Sequence, residues 1–379
     1  VSNFSMKLLL LILIIISFAL PLNLFSQEKP ATIKADTIVS KTTDKFFVRA
    51  FPIIFLRPET GWGGGFAGTT NFNLSKKNQD NKTPSSQISW ITSYTEKKQF
   101  LALMPFNIYF KNRKYYSEGE LDITNFSWEY WGNGNKTKDT SELFYTNYKR
   151  LIFNVMTKVK GHFYGGLKFE TNYFPIRQIE KGGLLDTKLD LEGRNGGVFK
   201  GIGAEGLFDT RDNIYSAHKG WMVDFTYLYW NKILFGDAQF HRVFIDVMKF
   251  TKIKNYYVLA CDLNLQMNNG KAIPFMELSQ LGGGTIMRGL YEGRYRDKFL
   301  VNFCIENRIN IYKRFGLVVF ANAGEVNNAL DNFNLKYVRY TAGGGLRYLL
   351  NSKDRINIRF DMGFGKHTQG SYLTIGEAF

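Results

Sequence analysis

From Phe46 onward, runs of about ten residues alternate apolar with polar side chains between short polar turns, and no other feature limits the fold so sharply. Between Tyr256 and Met267 the odd positions are Tyr257, Leu259, Cys261, Leu263, Leu265 and Met267, whereas Asp262, Asn264 and Gln266 fall on even ones. In the same way Phe299, Val301, Phe303, Ile305, Ile309 and Ile311 oppose Asn302, Cys304, Glu306, Arg308 and Asn310, and Ile356, Ile358, Phe360, Met362 and Phe364 oppose Arg355, Asn357, Arg359 and Asp361. Successive side chains of a strand point to opposite faces, so each run has one apolar and one polar face. A soluble sandwich alternates too, but its strands average about six residues. Longer runs suit strands that must cross the apolar slab of a membrane.

Such segments fall at 48–56, 61–75, 86–97, 99–110, 115–126, 142–157, 162–174, 198–208, 219–230, 236–250, 256–268, 298–311, 315–325, 337–349, 355–365 and 370–379, sixteen in all. The predicted fold is all-β, a transmembrane antiparallel up-and-down barrel over residues 46–379. With the N-terminal end in the periplasm, the long connections 127–141, 175–197 and 269–297 lie outside the cell, and the short Lys-rich turns at 111–114, 158–161, 251–255 and 312–314 lie inside. The inside connections 76–85 and 209–218 are longer than this parity favours.

Ahead of the barrel, Lys7 precedes an apolar run from Leu8 to Leu20, so residues 1–26 read as a signal peptide cut before Gln27, the run being short of the ~20 residues a membrane helix needs. Residues 27–45 read as a polar periplasmic leader. No later stretch is apolar enough for a helical span, so a membrane protein here must be a closed sheet. Aromatics at 16% and 36 Gly against 8 Pro fit many two-faced strands.

The net charge of +16 is scattered and forms no recognition helix, which argues against nucleic acid and for outer-membrane lipids, including anionic headgroups, and acidic protein surfaces as partners. Cys261 and Cys304 fall on opposite strand faces and are expected to stay unlinked. His162, His218, His241 and His367 stand apart from one another and from both cysteines, and no G-x-S-x-G elbow exists, so no metal, cofactor or catalysis is expected.

Four motifs carry a resemblance. Pro58-Glu59-Thr60-Gly61-Trp62-Gly63-Gly64-Gly65, Tyr130-Trp131-Gly132-Asn133-Gly134-Asn135, Asp209-Thr210-Arg211-Asp212-Asn213 and Leu281-Gly282-Gly283-Gly284-Thr285-Ile286-Met287-Arg288-Gly289-Leu290 occur in the order seen in BamA/TamA-type surface-antigen barrels of the outer membrane. Arg288-Gly289-Leu290 resembles the (V/I)RG(F/Y) tip of that family's sixth extracellular loop, and the strand count places it in the sixth outside connection. The resemblance implies a loop folded into the lumen, with its arginine on acidic groups of the inner wall. Glu306, which faces inward near Arg308, is the expected partner. In Phe320-Ala321-Asn322-Ala323-Gly324, Asn322 stands where the family has an Asp, so it is expected to add only a neutral hydrogen bond. Asp209, Arg211 and Asp212 form a periplasmic turn motif. Tyr372, Gly376 and Phe379 belong to a C-terminal assembly signal in which Leu373, Ile375 and Phe379 share one face and Gly376 takes the other.

The resemblance further implies that the first and last strands, 48–56 and 370–379, pair weakly and part to template an incoming strand. Pro52, Gly370 and Gly376 would soften that seam. Residues 27–45 are too few for the family's periplasmic POTRA domains. The expected function is therefore protein insertion or translocation in a Gram-negative outer membrane, helped by a separate periplasmic or lipoprotein partner. The alternative is a passive or gated channel plugged by its sixth loop.

Overall fold

The computed structural model describes residues 46–57, 60–72, 74, 85–111, 113–352 and 354–379; the expected signal peptide and leader, Pro58-Glu59 and most of 73–85 lie outside the described residues. Alternation becomes sixteen strands in one antiparallel sheet. They are β1 (Phe46–Arg57), β2 (Gly61–Phe72), β3 (Ser86–Thr95), β4 (Phe100–Phe110), β5 (Tyr115–Tyr130), β6 (Glu142–Lys160), β7 (Phe163–Ile179), β8 (Gly196–Asp209), β9 (Gly220–Trp230), β10 (Phe240–Lys254) and β11 (Tyr257–Asn269), then β14 (Phe299–Tyr312), β15 (Phe315–Asn327), β16 (Arg339–Asn351), β17 (Ile356–Gly365) and β18 (Thr368–Ile375). The connection between β11 and β14 carries its own ribbon, β12 (Ser279–Leu281) with β13 (Tyr295–Asp297). Each barrel strand pairs with the next in sequence, and β1 and β18 come alongside each other to leave a nearly closed barrel.

The inner face is fixed by contacts that skip a strand, which only a concave wall allows. Asn154 of β6 donates to Glu205 of β8 at 2.8 Å, and Lys168 of β7 lies 3.5 Å from Thr226 of β9. The opposite face exposes Ile54, Trp62, Phe66, Met104, Val155, Leu167, Phe225, Val319, Leu346, Phe360 and Met362. Burial is thus inverted relative to a soluble protein, with polar side chains inside and an apolar band outside.

β5, β6 and β7 run past their expected ends, to 16, 19 and 17 residues. Hydrogen-bonded pairing continues beyond the alternating stretch, so these strands exceed the ~9–11 residues a membrane requires. β18 is shorter than expected. Gly376 takes the left-handed region at φ +97°, which ends the strand after Ile375.

Both cysteines are free, and the register sets Cys261 opposite Ile305 and Cys304 opposite Asp262, hence on different faces. The long connections gather at one end of the barrel. There Phe275 of the β11–β14 loop is fully buried with Tyr130, Phe144, Phe174, Phe199 and Trp230.

Candidate functional site

The Arg288 tip lies against the inner faces of β14 to β18. Met287 and Leu290 pack with Leu281, Tyr295, Leu300 and Val326, which fixes the tip as a folded apolar unit. Gly289, at φ +93°, makes the close approach possible: a Cβ there would lie 2.6 Å from the backbone carbon of Gly363, and one on Gly363 would lie 2.7 Å from the Gly289 nitrogen. Loop and wall backbones meet where both residues lack side chains. Gly289 N–H donates to the Tyr372 hydroxyl at 3.0 Å.

This packing drives Arg288 onto a charged wall, where it is only 1% exposed. Its guanidinium donates to Glu306 Oε1 and, at 2.5 Å, to Asp361 Oδ2, while the Phe320 ring centroid sits 3.7 Å away. Each carboxylate is shared. Glu306 accepts from Arg308 Nε at 2.8 Å, and Asp361 accepts from Arg347 Nη1 at 2.5 Å. Arg347 also donates to Glu377 at 2.7 Å, and Arg359 completes the set 3.7 Å from Asp361. Burial alone would disfavour the Arg288 charge, but the carboxylates, led by Glu306, outweigh it and raise its pKa above the ordinary arginine value.

Asn322 does not take part. Its amide donates to Thr341 Oγ1 at 3.0 Å, and the second carboxylate on Arg288 comes instead from Asp361, two strands further round. The barrel's curvature turns an inward side chain on β17 toward the same point as one on β14. Asp361 already had inward phase beside Arg359 in the sequence, but phase alone does not say which inward groups converge.

The tryptophan motif docks on the same loop. Gly134 N–H donates to the Arg296 carbonyl at 2.7 Å, Trp131 meets Tyr291 edge-on at 4.9 Å, and Tyr130 packs on Phe275 at 5.0 Å. At the opposite, short-turn end, Asp209 accepts from Arg211 Nε at 3.0 Å and from Arg113 at 2.6 Å. Asp212 takes the amides of His218 and Lys219 at 2.8 and 3.1 Å and Arg355 at 2.8 Å. Burial opposes the Asp212 charge, yet these donors hold its carboxyl below the usual range. The turn between β8 and β9 reaches the ends of two other hairpins, since Tyr215 donates to the Ser85 carbonyl at 3.0 Å and Asn213 to the Asp354 carbonyl at 3.2 Å.

The C-terminal motif departs from its expected arrangement. Tyr372 faces inward, and Leu373 packs against the cluster of Ile53 and Phe55 on the opposite edge strand and Ala67 on β2. Phe379 does not share the outer face with Leu373 and Ile375. The turn at Gly376 carries it inside, 6.2 Å from the Phe250 ring, where Arg308 donates to its main-chain oxygen at 3.0 Å. Glu377 makes this burial possible by accepting from Arg347 and, at 2.6 Å, from Asn357.

Comparison with known proteins agrees with this geometry. Residues 200–379 match the Omp85 superfamily domain. BamA from Haemophilus ducreyi, in a form lacking POTRA domains 1–3, superposes with a TM-score of 0.56 at 13% identity, over 87% of this chain and 70% of that one. CdiB from Acinetobacter baumannii superposes at 0.55 and 11% identity, over 87% of this chain and 59% of that one. No curated protein matches the sequence. At these identities the structural likeness speaks to the fold.

Proposed function

We propose that the chain, whose residues 200–379 match the Omp85 superfamily domain, is a barrel of the Gram-negative outer membrane that inserts or translocates proteins through a lateral seam between β1 and β18, with the short-turn end in the periplasm. One observation carries this reading. Every other pair of neighbouring barrel strands shares a hydrogen-bonded register, whereas β1 and β18 lie side by side without one among the described residues. Edges that meet without a shared register, here with Leu373 packed against Ile53 and Phe55, can part and pair with an incoming strand. In this reading the sixth loop sits within the lumen and its Arg288 clamp braces β14 to β18, so that the β1 edge is the one that moves. A separate periplasmic protein or lipoprotein brings the client.

The test is a disulfide across the seam. Ile54 is outward whereas Thr374 accepts from inward Arg359 at 2.8 Å, so a pair at those two positions would face opposite sides. Ile54→Cys with Leu373→Cys places both thiols on the outward face, Leu373 standing opposite exposed Phe360, in a chain also carrying Cys261→Ala and Cys304→Ala. Cells relying on this variant should lose assembly or export of the client proteins under oxidation and recover it on reduction, with the barrel folded throughout. Full activity with the cross-link quantitatively closed would overturn lateral opening. Ion conductance indifferent to the lock, with no protein retained in pull-downs from native membranes, would instead support the plugged channel.

A further inference from the structure

Four hairpins at the short-turn end carry the same irregularity. One extra residue sits just before the closing pair of the turn: Val159 in β6, Ile253 in β10, Ile311 in β14 and Leu350 in β16. A bulge of this kind reverses the alternation for the residue that follows it. Lys158 stands opposite Tyr164, which is buried on the inner face, but Lys160 stands opposite Phe163, which is exposed on the outer one. Lys252 likewise faces inward-pointing Val258, while Lys254 faces Tyr257 on the outer side. Side chains that simple alternation would aim at the lumen are therefore aimed outward.

Four lysines at this end stand beside exposed tyrosines. The Lys254 ammonium is 5.8 Å from the ring of Tyr256, Lys313 is 4.9 Å from Tyr312, and Lys111 and Lys114 are 5.8 and 5.5 Å from Tyr115. Lys111, Lys114, Lys160, Lys254 and Lys313 are all exposed, and none has a carboxylate within ion-pair distance among the described residues. The turns 111–114, 158–161, 252–255 and 313–314 contain no Asp or Glu. The long-loop end mixes its signs, with Glu180, Asp186, Asp190 and Glu192 among Lys181, Lys188 and Arg194 in a single connection.

We propose that this collar binds the anionic headgroups of phospholipids in the leaflet at the short-turn end. The tyrosine rings sit at the level where apolar band gives way to water, and the flexible lysine stems carry a positive charge to the phosphate layer just beyond. Spread over hairpins from β4–β5 to β14–β15, the cations follow the rim as a lipid ring does, whereas a docking protein would favour one sector. The inference rests on the proposed placement of that end at the periplasmic leaflet, and it gives the membrane a way to hold the barrel's depth while the seam moves.

The full chain, reconstituted in phosphatidylcholine vesicles containing a minority of phosphatidylglycerol, is probed with spin-labelled forms of each lipid. Symmetric vesicles make the reading independent of orientation, and lipid selectivity requires neither client nor seam opening, so this proposal and the translocation reading fail separately. The wild type should restrict phosphatidylglycerol several-fold more than phosphatidylcholine at low salt and lose most of that preference at high salt. The variant with Lys111→Gln, Lys114→Gln, Lys160→Gln, Lys254→Gln and Lys313→Gln should show no preference while keeping the heat-modifiable mobility of a folded barrel. The matched variant Lys181→Gln, Lys188→Gln, Lys232→Gln, Lys271→Gln and Lys366→Gln should behave as wild type. Selectivity unchanged by the first set, or lost equally with the second, overturns the proposal. So does a wild type that shows no lipid preference but retains an acidic periplasmic protein through these lysines.

Discussion

Arg288 and Arg296 belong to the same loop and are both fully buried, at 1% and 0% exposed, yet they are held by opposite means. Arg288 is gripped by two wall carboxylates, Glu306 and Asp361. Among the described residues Arg296 forms no ion pair with a carboxylate. It lies against the rings of Tyr130 and Phe275, 5.3 and 5.7 Å from their centroids, and donates to the Gly293 carbonyl at 3.2 and 3.1 Å and to the Met276 sulfur at 3.2 Å. Burial pushes its pKa down to about 10, while the carboxylates drive that of Arg288 up. A guanidinium does not deprotonate in practice, so the downward pull on Arg296 measures a desolvation that its neighbours fail to offset. The tip of the loop is thus tied to the wall by charge, and its base is tied by packing.

The most damaging way to break that contrast is Arg288→Met. Removing one partner of a buried ion pair typically costs ~3–5 kcal/mol. Glu306 keeps Arg308 and Asp361 keeps Arg347, so about 3 kcal/mol is expected here. Unfolding in detergent followed by heat-modifiable mobility gives the stability, and proteolysis within 270–298 reports the loop. A loss under about 0.5 kcal/mol, the scale of an ordinary surface substitution, would mean that packing alone seats the tip.

Asp361→Asn should cost less, about 1–2 kcal/mol, because Arg288 retains Glu306 while Arg347 retains Glu377. Combined with Arg288→Met it should be less harmful than the sum of the two, with a coupling of about 1 kcal/mol or more. Strict additivity would separate Asp361 from the clamp. Asn322→Asp sharpens the point, since Asn322 serves Thr341 and stands outside the clamp: it should leave proteolysis of the loop unchanged.

How much of this was legible in the sequence depends on the range of the information. Strand existence, face and order are local properties of alternation, and the sixteen strands emerge in sequence order because each pairs with its neighbour. The Arg288–Glu306 contact was reachable because Glu306 lies on the strand that follows the loop. Asp361 was harder. Its inward phase was plain, but its convergence on Arg288 depends on curvature and on the glycines 289 and 363 meeting, which no local pattern encodes. The inward course of Phe379 follows from a single backbone torsion at Gly376 and from salt partners on β14 and β16, so reading the C-terminal residues as one continuous strand put Phe379 on the wrong face. The bulges escaped for a related reason: an extra residue beside a turn looks the same in sequence as a boundary displaced by one.

The smallest expected effect separates the two arginines most cleanly. Arg296→Met keeps the length and much of the volume of the side chain, and it preserves contact with Tyr130, Phe275 and Met276. It removes a desolvated cation that has no ion pair among the described residues, and replacing such groups by apolar ones of similar size is often neutral or stabilising. Against this stand the lost hydrogen bonds to the Gly293 carbonyl, worth about 1–2 kcal/mol together, and the ring contacts, worth about 1 kcal/mol at a buried site. These terms nearly cancel, so the expected stability change is within about 1 kcal/mol of zero, and proteolysis of 270–298 should stay at the wild-type rate. The Gly134 to Arg296 backbone bond is untouched by the substitution, which keeps the tryptophan motif in place and confines the readout to the guanidinium. If Arg296→Met instead costs as much as Arg288→Met, the loop base depends on charge after all, and an anionic partner for Arg296 must be sought among the groups around it, beginning with Glu292.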